Sequence, residues 1–351
     1  MKRLIHTAIV AVLAAEVLVL GQGSDINKVM SDVRAALGGA KSAEVKTLSA
    51  TGRTTRTRPD GTASEQEFEL SMQLPDKYMK RDVLMSMGPT SIYRNSGFNG
   101  DGLINLTDTP PSLASGGGVR MVMMGPGSAP PGAKLTPEET AELNRKQLVS
   151  TKQDFARLTL GMFAQSFPVY PLQFTSGGVA ESADGNADIV VVRGDGEFDV
   201  KLFIDQKTHL PLMLSWMAKE PLQMNMTTGP GRAGGTGAGP TTGFSSGGGN
   251  VQVVGGGGGG GGARGGQPMT PEQMAQMQKE MNDRMAEAEK TRKVVEYRVF
   301  YADYKTYDGV KLPTRIQRMI DGKPTEEIAF DKIKLNAKID PKTFEVTKND
   351  K

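Results

Sequence analysis

The sequence predicts a mainly antiparallel β-protein with a few covering helices, an α+β chain. Three observations carry that expectation. About a dozen stretches alternate apolar and polar residues with period two, as strands with one buried face do. Short turns such as Asp308-Gly309 and Asp321-Gly322 join neighbouring stretches. Helical periodicity is confined to three places, two of them preceded by loose segments. The 351 residues allow one large domain or two ordinary ones. One curved sheet is expected, because the second half begins with strands and has no helical start of its own.

Lys2 and Arg3 precede a run from Leu4 to Leu20 whose core, Ala8 to Ala15, is wholly apolar. Gly21-Gln22-Gly23 then places small residues where a signal peptidase reads them. The run is short for a bilayer and Glu16 interrupts it. Residues 1–23 are therefore expected to be an export signal cleaved near Gly23, with residues 24–351 forming a single domain in the periplasm. The chain has no cysteine, which excludes a disulfide, a thiol nucleophile and a cysteine-borne lipid anchor. Its formal charge of +3 is mixed along the chain, which argues against nucleic acid as a partner.

Ser24 or Asp25 can cap a helix whose stripe is Ile26, Val29, Met30, Val33 and Leu37, with Gly38-Gly39 as its stop. Strands follow from Val45 to Arg58 and from Glu65 to Leu74, where Phe68, Leu70, Met72 and Leu74 share one face. In the next, Met79, Val83, Met85 and Met87 form the apolar side, opposite Lys80, Asp82 and Ser86. Thr90–Phe98 and Asp101–Leu106 complete five strands. Residues 108–134 break the pattern as an insertion. Thr136-Pro137-Glu138-Glu139 then opens a helix with a capping box, and Leu143, Leu148, Phe155, Leu158 and Met162 form its apolar side.

Strands resume at Leu172–Ala180, Ala187–Arg193, Glu197–Asp205 and Leu210–Met217. Phe198, Val200, Leu202 and Ile204 face one way, and so do Leu210, Leu212, Leu214 and Trp216. Residues 228–268 are low-complexity, with eight glycines in a row at 255–262, and read as a flexible insertion. A third helix carries Met274, Met277, Met281 and Met285 on one stripe. Val294 to Val346 is the clearest β signal, a three-strand meander and a closing turn. Val295, Tyr297, Val299 and Tyr301 share a face there, as do Leu312, Ile316 and Ile320. This meander is expected to form the closing edge of the sheet.

Motifs with chemistry are few. His209 is the sole histidine of the mature chain and sits at a turn, so it builds no two-histidine metal site. Asp184-Gly185-Asn186-Ala187-Asp188 opens like a calcium loop, but Ile189 and Asp195 stand where such a loop needs Gly and Glu. The glycine runs match phosphate loops by composition alone, with no strand leading in. No catalytic residue, metal site or cofactor is expected.

Several pieces taken in order resemble the LolA-like family of periplasmic lipoprotein carriers, the outer-membrane lipoprotein-sorting proteins. They are Leu37-Gly38-Gly39, Leu74-Pro75-Asp76-Lys77-Tyr78, Leu202-Phe203-Ile204-Asp205 with Leu210-Pro211-Leu212, and Tyr304 with Asp308-Gly309-Val310-Lys311-Leu312-Pro313. The last runs from Ile333-Lys334-Leu335-Asn336 to Ile339-Asp340-Pro341-Lys342-Thr343-Phe344. The resemblance implies an open half-barrel of about 11 strands with helices across its concave side. It also implies a non-enzymatic carrier with an apolar cavity for lipoprotein acyl chains or another lipid-like ligand. Phe68, Leu70, Met72, Leu202, Ile204, Leu212, Trp216, Met277, Met281, Tyr297 and Val299 would line that cavity. The 20 methionines suit such a pocket, since thioether side chains adapt to irregular apolar ligands. The implied partners are the lipid-like ligand and a transient envelope-membrane or membrane-protein partner, with the carrier itself monomeric. An envelope stress-sensing module of the same fold, binding lipoproteins and a membrane signalling partner, is the alternative role.

Overall fold

The computed structural model describes residues 25–58, 61–87, 90–108, 119–124, 136–182, 185–221, 243–244, 250–255 and 286–346, with single helical positions at 276, 279 and 283. Three antiparallel meanders build one sheet of twelve strands. The first contains β1 (Thr47–Thr57), β2 (Ala63–Gln73), β3 (Lys77–Met87), β4 (Thr90–Asn99) and β5 (Gly102–Asp108). A separate strand, β6 (Val119–Met124), follows it. The second meander is β7 (Gln173–Ser182), β8 (Gly185–Gly194), β9 (Phe198–Asp205) and β10 (Pro211–Lys219). After β11 (Gly243–Phe244) and β12 (Asn250–Gly255) comes the third: β13 (Val294–Tyr307), β14 (Val310–Ile320) and β15 (Lys323–Leu335).

The strand order is β5-β4-β3-β2-β1-β15-β14-β13-β10-β9-β8-β7, so the sheet is open with β5 and β7 at its edges. The architecture is the one the sequence resemblance implies, an open antiparallel sheet with helices laid against it. One expectation fails. The C-terminal meander is not a closing edge but the centre of the sheet, with β15 on β1 and β13 on β10. Strands that are last in sequence thus hold the other two meanders together, and the β1–β15 pairing spans most of the chain. Within the two expected insertions, β6 pairs with β12 and β12 with β11 as a small second sheet.

The turns follow their residues. Asp308-Gly309 and Asp321-Gly322 take positive φ at both positions, as a two-residue hairpin turn with the right twist requires. The described part of the calcium-like stretch, residues 185–188, opens β8, with Gly185 paired to Ser182 of β7. Helix α1 (Ile26–Ala36) is capped by Asp25, whose carboxylate accepts from the Asn27 amide at 3.0 Å. A one-turn helix α2 (Ala40–Ala43) follows. In α3 (Pro137–Phe163), Thr136 accepts from the Glu139 amide at 3.2 Å and Glu139 accepts from the Thr136 amide at 2.8 Å, a complete capping box.

Helices α1 and α3 cover one face. Val29, Met30 and Val33 of α1, Leu37 at its C-cap, and Phe155, Leu160, Met162 and Phe163 of α3 are buried against the sheet in one continuous core. Each such side chain contributes roughly 1.5–3 kcal/mol of burial. The 27 residues of α3 span about 40 Å, enough to reach β4 and β5 at one end of the sheet and β10 and β14 further across. On the opposite face, a short helical turn (Pro341–Phe344) seats Phe344 against Met79 and Ile104.

Candidate functional site

The inner face under α3 can be read from the register, because directly paired residues share a face. One row runs Val299–Arg318–Glu326–Arg56 across β13, β14, β15 and β1. The next runs Tyr301–Ile316–Ile328–Thr54–Gln66, and the following places Phe330, Gly52, Phe68, Asp82 and Arg94 abreast. Leu70 pairs with Lys80, and Met72 with Tyr78. The inner face is thus apolar over most of its area and charged toward one end.

Between this face and α3 lies a cavity of about 50 Å³. Phe68, Leu70, Val299, Ile316, Ile328 and Phe330 form its floor, and Leu158 of α3 contributes to its roof. Tyr78 and Tyr301 flank it. The charged side is Lys80 and Arg318 from the sheet with Asp154 and Arg157 from α3. Behind them, Lys80 Nζ lies 2.9 Å from Asp82 and Arg56 Nε lies 3.0 Å from Glu326, both pairs largely buried. Arg157 bonds Asp154 at 3.1 Å and stacks its guanidinium over Trp216 at 4.6 Å and Phe198 at 5.2 Å.

Burial sets the electrostatics. It pushes the Asp154 carboxyl above its usual range despite Arg157 and Arg318 nearby, and it lowers Arg157. Burial also opposes the Glu326 charge, but Arg318, Arg56 and Lys80 outweigh it and hold this carboxyl below the usual range. Arg318 has the converse balance: burial disfavours its charge, and Glu326 and Asp154 more than restore it. Tyr78 and Tyr301 are raised by burial.

Helix α3 is held down by tyrosines. Tyr301 Oη donates to the Arg157 carbonyl at 2.5 Å, and Tyr304 Oη donates to the carbonyls of Gly161 at 3.0 Å and Pro211 at 2.9 Å. Tyr304 lies just past an irregularity at Asp303, which takes φ +55° and has no register partner, although the β13–β14 register is the same on either side of it. Gly161 is required by closeness: any Cβ there would fall within the Tyr301 ring.

Of the residues expected to line a ligand cavity, Phe68, Leu70 and Val299 border this small pocket. Met72, Leu202 and Ile204 are fully buried in the surrounding core. Trp216 and Tyr297 stack on each other, centroids 5.3 Å apart, and Trp216 supports Arg157. Leu212 is corrected: it is 40 % exposed, because a bulge between Pro211 and Met213 breaks the alternation on which its placement relied. Met277 and Met281 lie outside the described residues, as do residues 1–23. A second correction concerns β3, where Lys80 and Asp82 face inward and Met79 packs on the outer face.

Sequence reasoning missed Lys80, Asp154, Arg157 and Arg318. A signal existed for Arg318, the one charge between Ile316 and Ile320 on an otherwise apolar face. His209 holds a turn with φ +55°, its amide donating to the Asp205 carbonyl at 2.8 Å. Among the described residues, no group of three His, Cys, Asp or Glu side chains is placed to hold a metal ion, and no helix is long and apolar enough to cross a membrane.

No protein-family model and no curated protein matches the chain. Among solved structures, it is similar to a LolA superfamily protein from Nitrosomonas europaea, at 9 % identity over 92 % of this chain and 98 % of that one, with a TM-score of 0.43. It is also similar to a candidate outer membrane lipoprotein-sorting protein domain from Vibrio parahaemolyticus, at 7 % identity over 91 % and 97 % of the two chains, TM-score 0.39. A DUF1329 family protein from Desulfovibrio piger stands at 8 %, 92 % and 98 %, with a TM-score of 0.40. With TM-scores below 0.5, these are likenesses of general layout.

Proposed function

We propose that the chain is a non-enzymatic carrier or binding protein of the bacterial envelope. It takes lipoprotein acyl chains or another lipid-like ligand between the sheet and α3, after loss of residues 1–23 in the periplasm. The observation that carries this reading is the apolar floor of Phe68, Leu70, Val299, Ile316, Ile328 and Phe330 beneath a single helix. Such a surface gains free energy by shielding an apolar chain from water and needs no reactive group.

Size adds a condition. Pockets for drug-sized ligands measure roughly 300–1,000 Å³, and this cavity holds about 50 Å³. Binding therefore requires α3 to lift from the sheet, which enlarges the same apolar surface. Titration with a fluorescent apolar probe, displaced by long-chain lipids, tests the proposal. Wild type should bind and release the probe, and Leu70→Glu or Val299→Glu should lose binding at least tenfold while staying folded. Unchanged binding in both variants places any lipid elsewhere and refutes the reading.

A further inference from the structure

The charged end of the cavity is unbalanced. Lys80, Arg157 and Arg318 line it against Asp154 alone. With the groups directly behind, Arg56 and Arg94 as cations and Asp82 and Glu326 as carboxylates, five cations face three anions. Donors are left over as well. Lys80, only 5 % exposed, is ion-paired with Asp82 at 2.9 Å without hydrogen-bond alignment, the Nε atoms of Arg94 and Arg157 have no acceptor, and on the acceptor side Glu326 Oε1 has no donor. Arg318 feels Glu326 and Asp154 electrostatically, yet among the described residues it forms no ion pair of hydrogen-bond length. Lys80 and Arg157 each have a carboxylate partner, so the surplus positive charge rests on Arg318 and Arg94, and a buried cation without an ion-pair partner calls for an anion or ordered water.

We propose that Lys80, Arg157 and Arg318 form a subsite for the carboxylate of a fatty-acid-like amphiphile, whose tail lies along Phe68, Leu70 and Val299. The inference rests on the carrier reading and narrows its ligand from any lipid to one with a compact anionic head. Lys80, Arg157 and Arg318 border one small cavity of about 50 Å³ together with Phe68, Leu70 and Val299, so a compact anionic head placed among the cations leaves its tail on the apolar floor. Planar guanidinium groups match a carboxylate's two oxygens in geometry as well as charge. Arg157 is already fixed by the Trp216 and Phe198 rings, so little of its freedom is lost on binding. The polar end and the apolar floor are contiguous, which gives the ligand one orientation.

The test compares dodecanoate with its methyl ester, which keeps the tail and removes the charge, by displacement of a neutral fluorescent probe from the whole protein. Dodecanoate should bind at least about tenfold more tightly than the ester, the scale of one charge-assisted hydrogen bond. Arg318→Met should erase that preference while keeping ester binding, and Arg318→Lys should retain most of it. Equal affinity of acid and ester in wild type overturns the subsite and leaves the carrier reading standing. Failure of both ligands to displace the probe, or of the probe to bind at all, overturns the carrier reading and the subsite together. Should Arg318→Met fail to fold, the wild-type comparison still decides.

Discussion

At the scale of single residues, the inner face shows charges where an apolar lining was expected, and each has a predictable energetic consequence. Glu326 is almost fully buried beside Arg56, 3.0 Å away, and Arg318 also acts on it. Its carboxyl is held below the usual glutamate value of 4.5. A carboxylate depressed in the folded state stabilises fully above the unfolded value, and that stabilisation is lost as pH falls through the folded one. Denaturant unfolding of wild type should therefore weaken below pH 4.5, and Glu326→Gln should flatten this limb. The same variant should cost about 3–5 kcal/mol at neutral pH, because it leaves Arg56 and Arg318 without their carboxylate. A pH dependence identical to wild type would remove Glu326 from the charge network. Asp154 acts in the opposite sense: burial raises it, so the folded protein holds its proton more tightly and this contribution falls as pH rises. Gly161 offers a steric case. Alanine in a helix gains about 1 kcal/mol over glycine, but here its methyl would strike the Tyr301 ring, whose hydroxyl is already bonded to the Arg157 carbonyl. Overpacking of this kind costs about 1–3 kcal/mol. Gly161→Ala should accordingly lower Tm, and a rise would show that the ring moves freely.

At the scale of elements, α3 is the part whose movement the carrier reading requires. It is fixed to the sheet by Tyr301, Tyr304 and the Phe155–Phe163 stripe at its C-terminal end. Its other half is held by smaller contacts: Asn105 to Gln147 at 3.2 Å, and Lys152 to Asp101 at 2.7 Å with Asp101 exposed. The Asn105–Gln147 contact is exposed and weak, whereas Lys152 is itself buried, so under the carrier reading the turns before Lys152 would part from the sheet first. The chain has no cysteine, which makes a selective restraint possible. Asn105→Cys with Gln147→Cys, bridged by a short thiol-reactive linker, should block probe uptake, and the unbridged pair should bind as wild type does. Uptake by the bridged form would mean that the ligand enters without this movement. The same element shows why the site was only half legible in the sequence. Phe155, Leu158 and Met162 announce the buried stripe by spacing, and the capping box marks the start to the residue. Asp154 and Arg157 carry no such mark, since charges next to a stripe normally face solvent. On β3 the alternation was real but two-sided, with Met79 and Lys80 both buried on opposite faces. Only packing on both faces decides which one is the interior.

At the scale of the whole molecule, the sheet is stitched together from distant parts of the chain, and this is where sequence reading reached least far. Each meander was visible from its turns and alternation, because both are local. Their order was not, because pairings such as Leu48 with Leu335 and Leu214 with Val299 carry no local signal. The arrangement explains how a long insertion is tolerated. Lys219 and Val294 are register partners, and the Glu220 amide bonds the Lys293 carbonyl at 2.8 Å, so the chain leaves and re-enters the sheet at one point. Loop length then costs little, about 0.6 kcal/mol per doubling. Removal of residues 228–268 should leave stability within about 1 kcal/mol of wild type, and unfolding of that variant would show the segment to be part of the core. The central claim, that the covered half-barrel holds a lipid-like ligand under α3, is tested most directly by native mass spectrometry of protein purified from the cell envelope. The account predicts a bound lipid in the wild-type protein, carrying an anionic head, that organic extraction releases and that Leu70→Glu lacks. Wild-type protein that carries no lipid, and takes up none when offered it, would contradict the account.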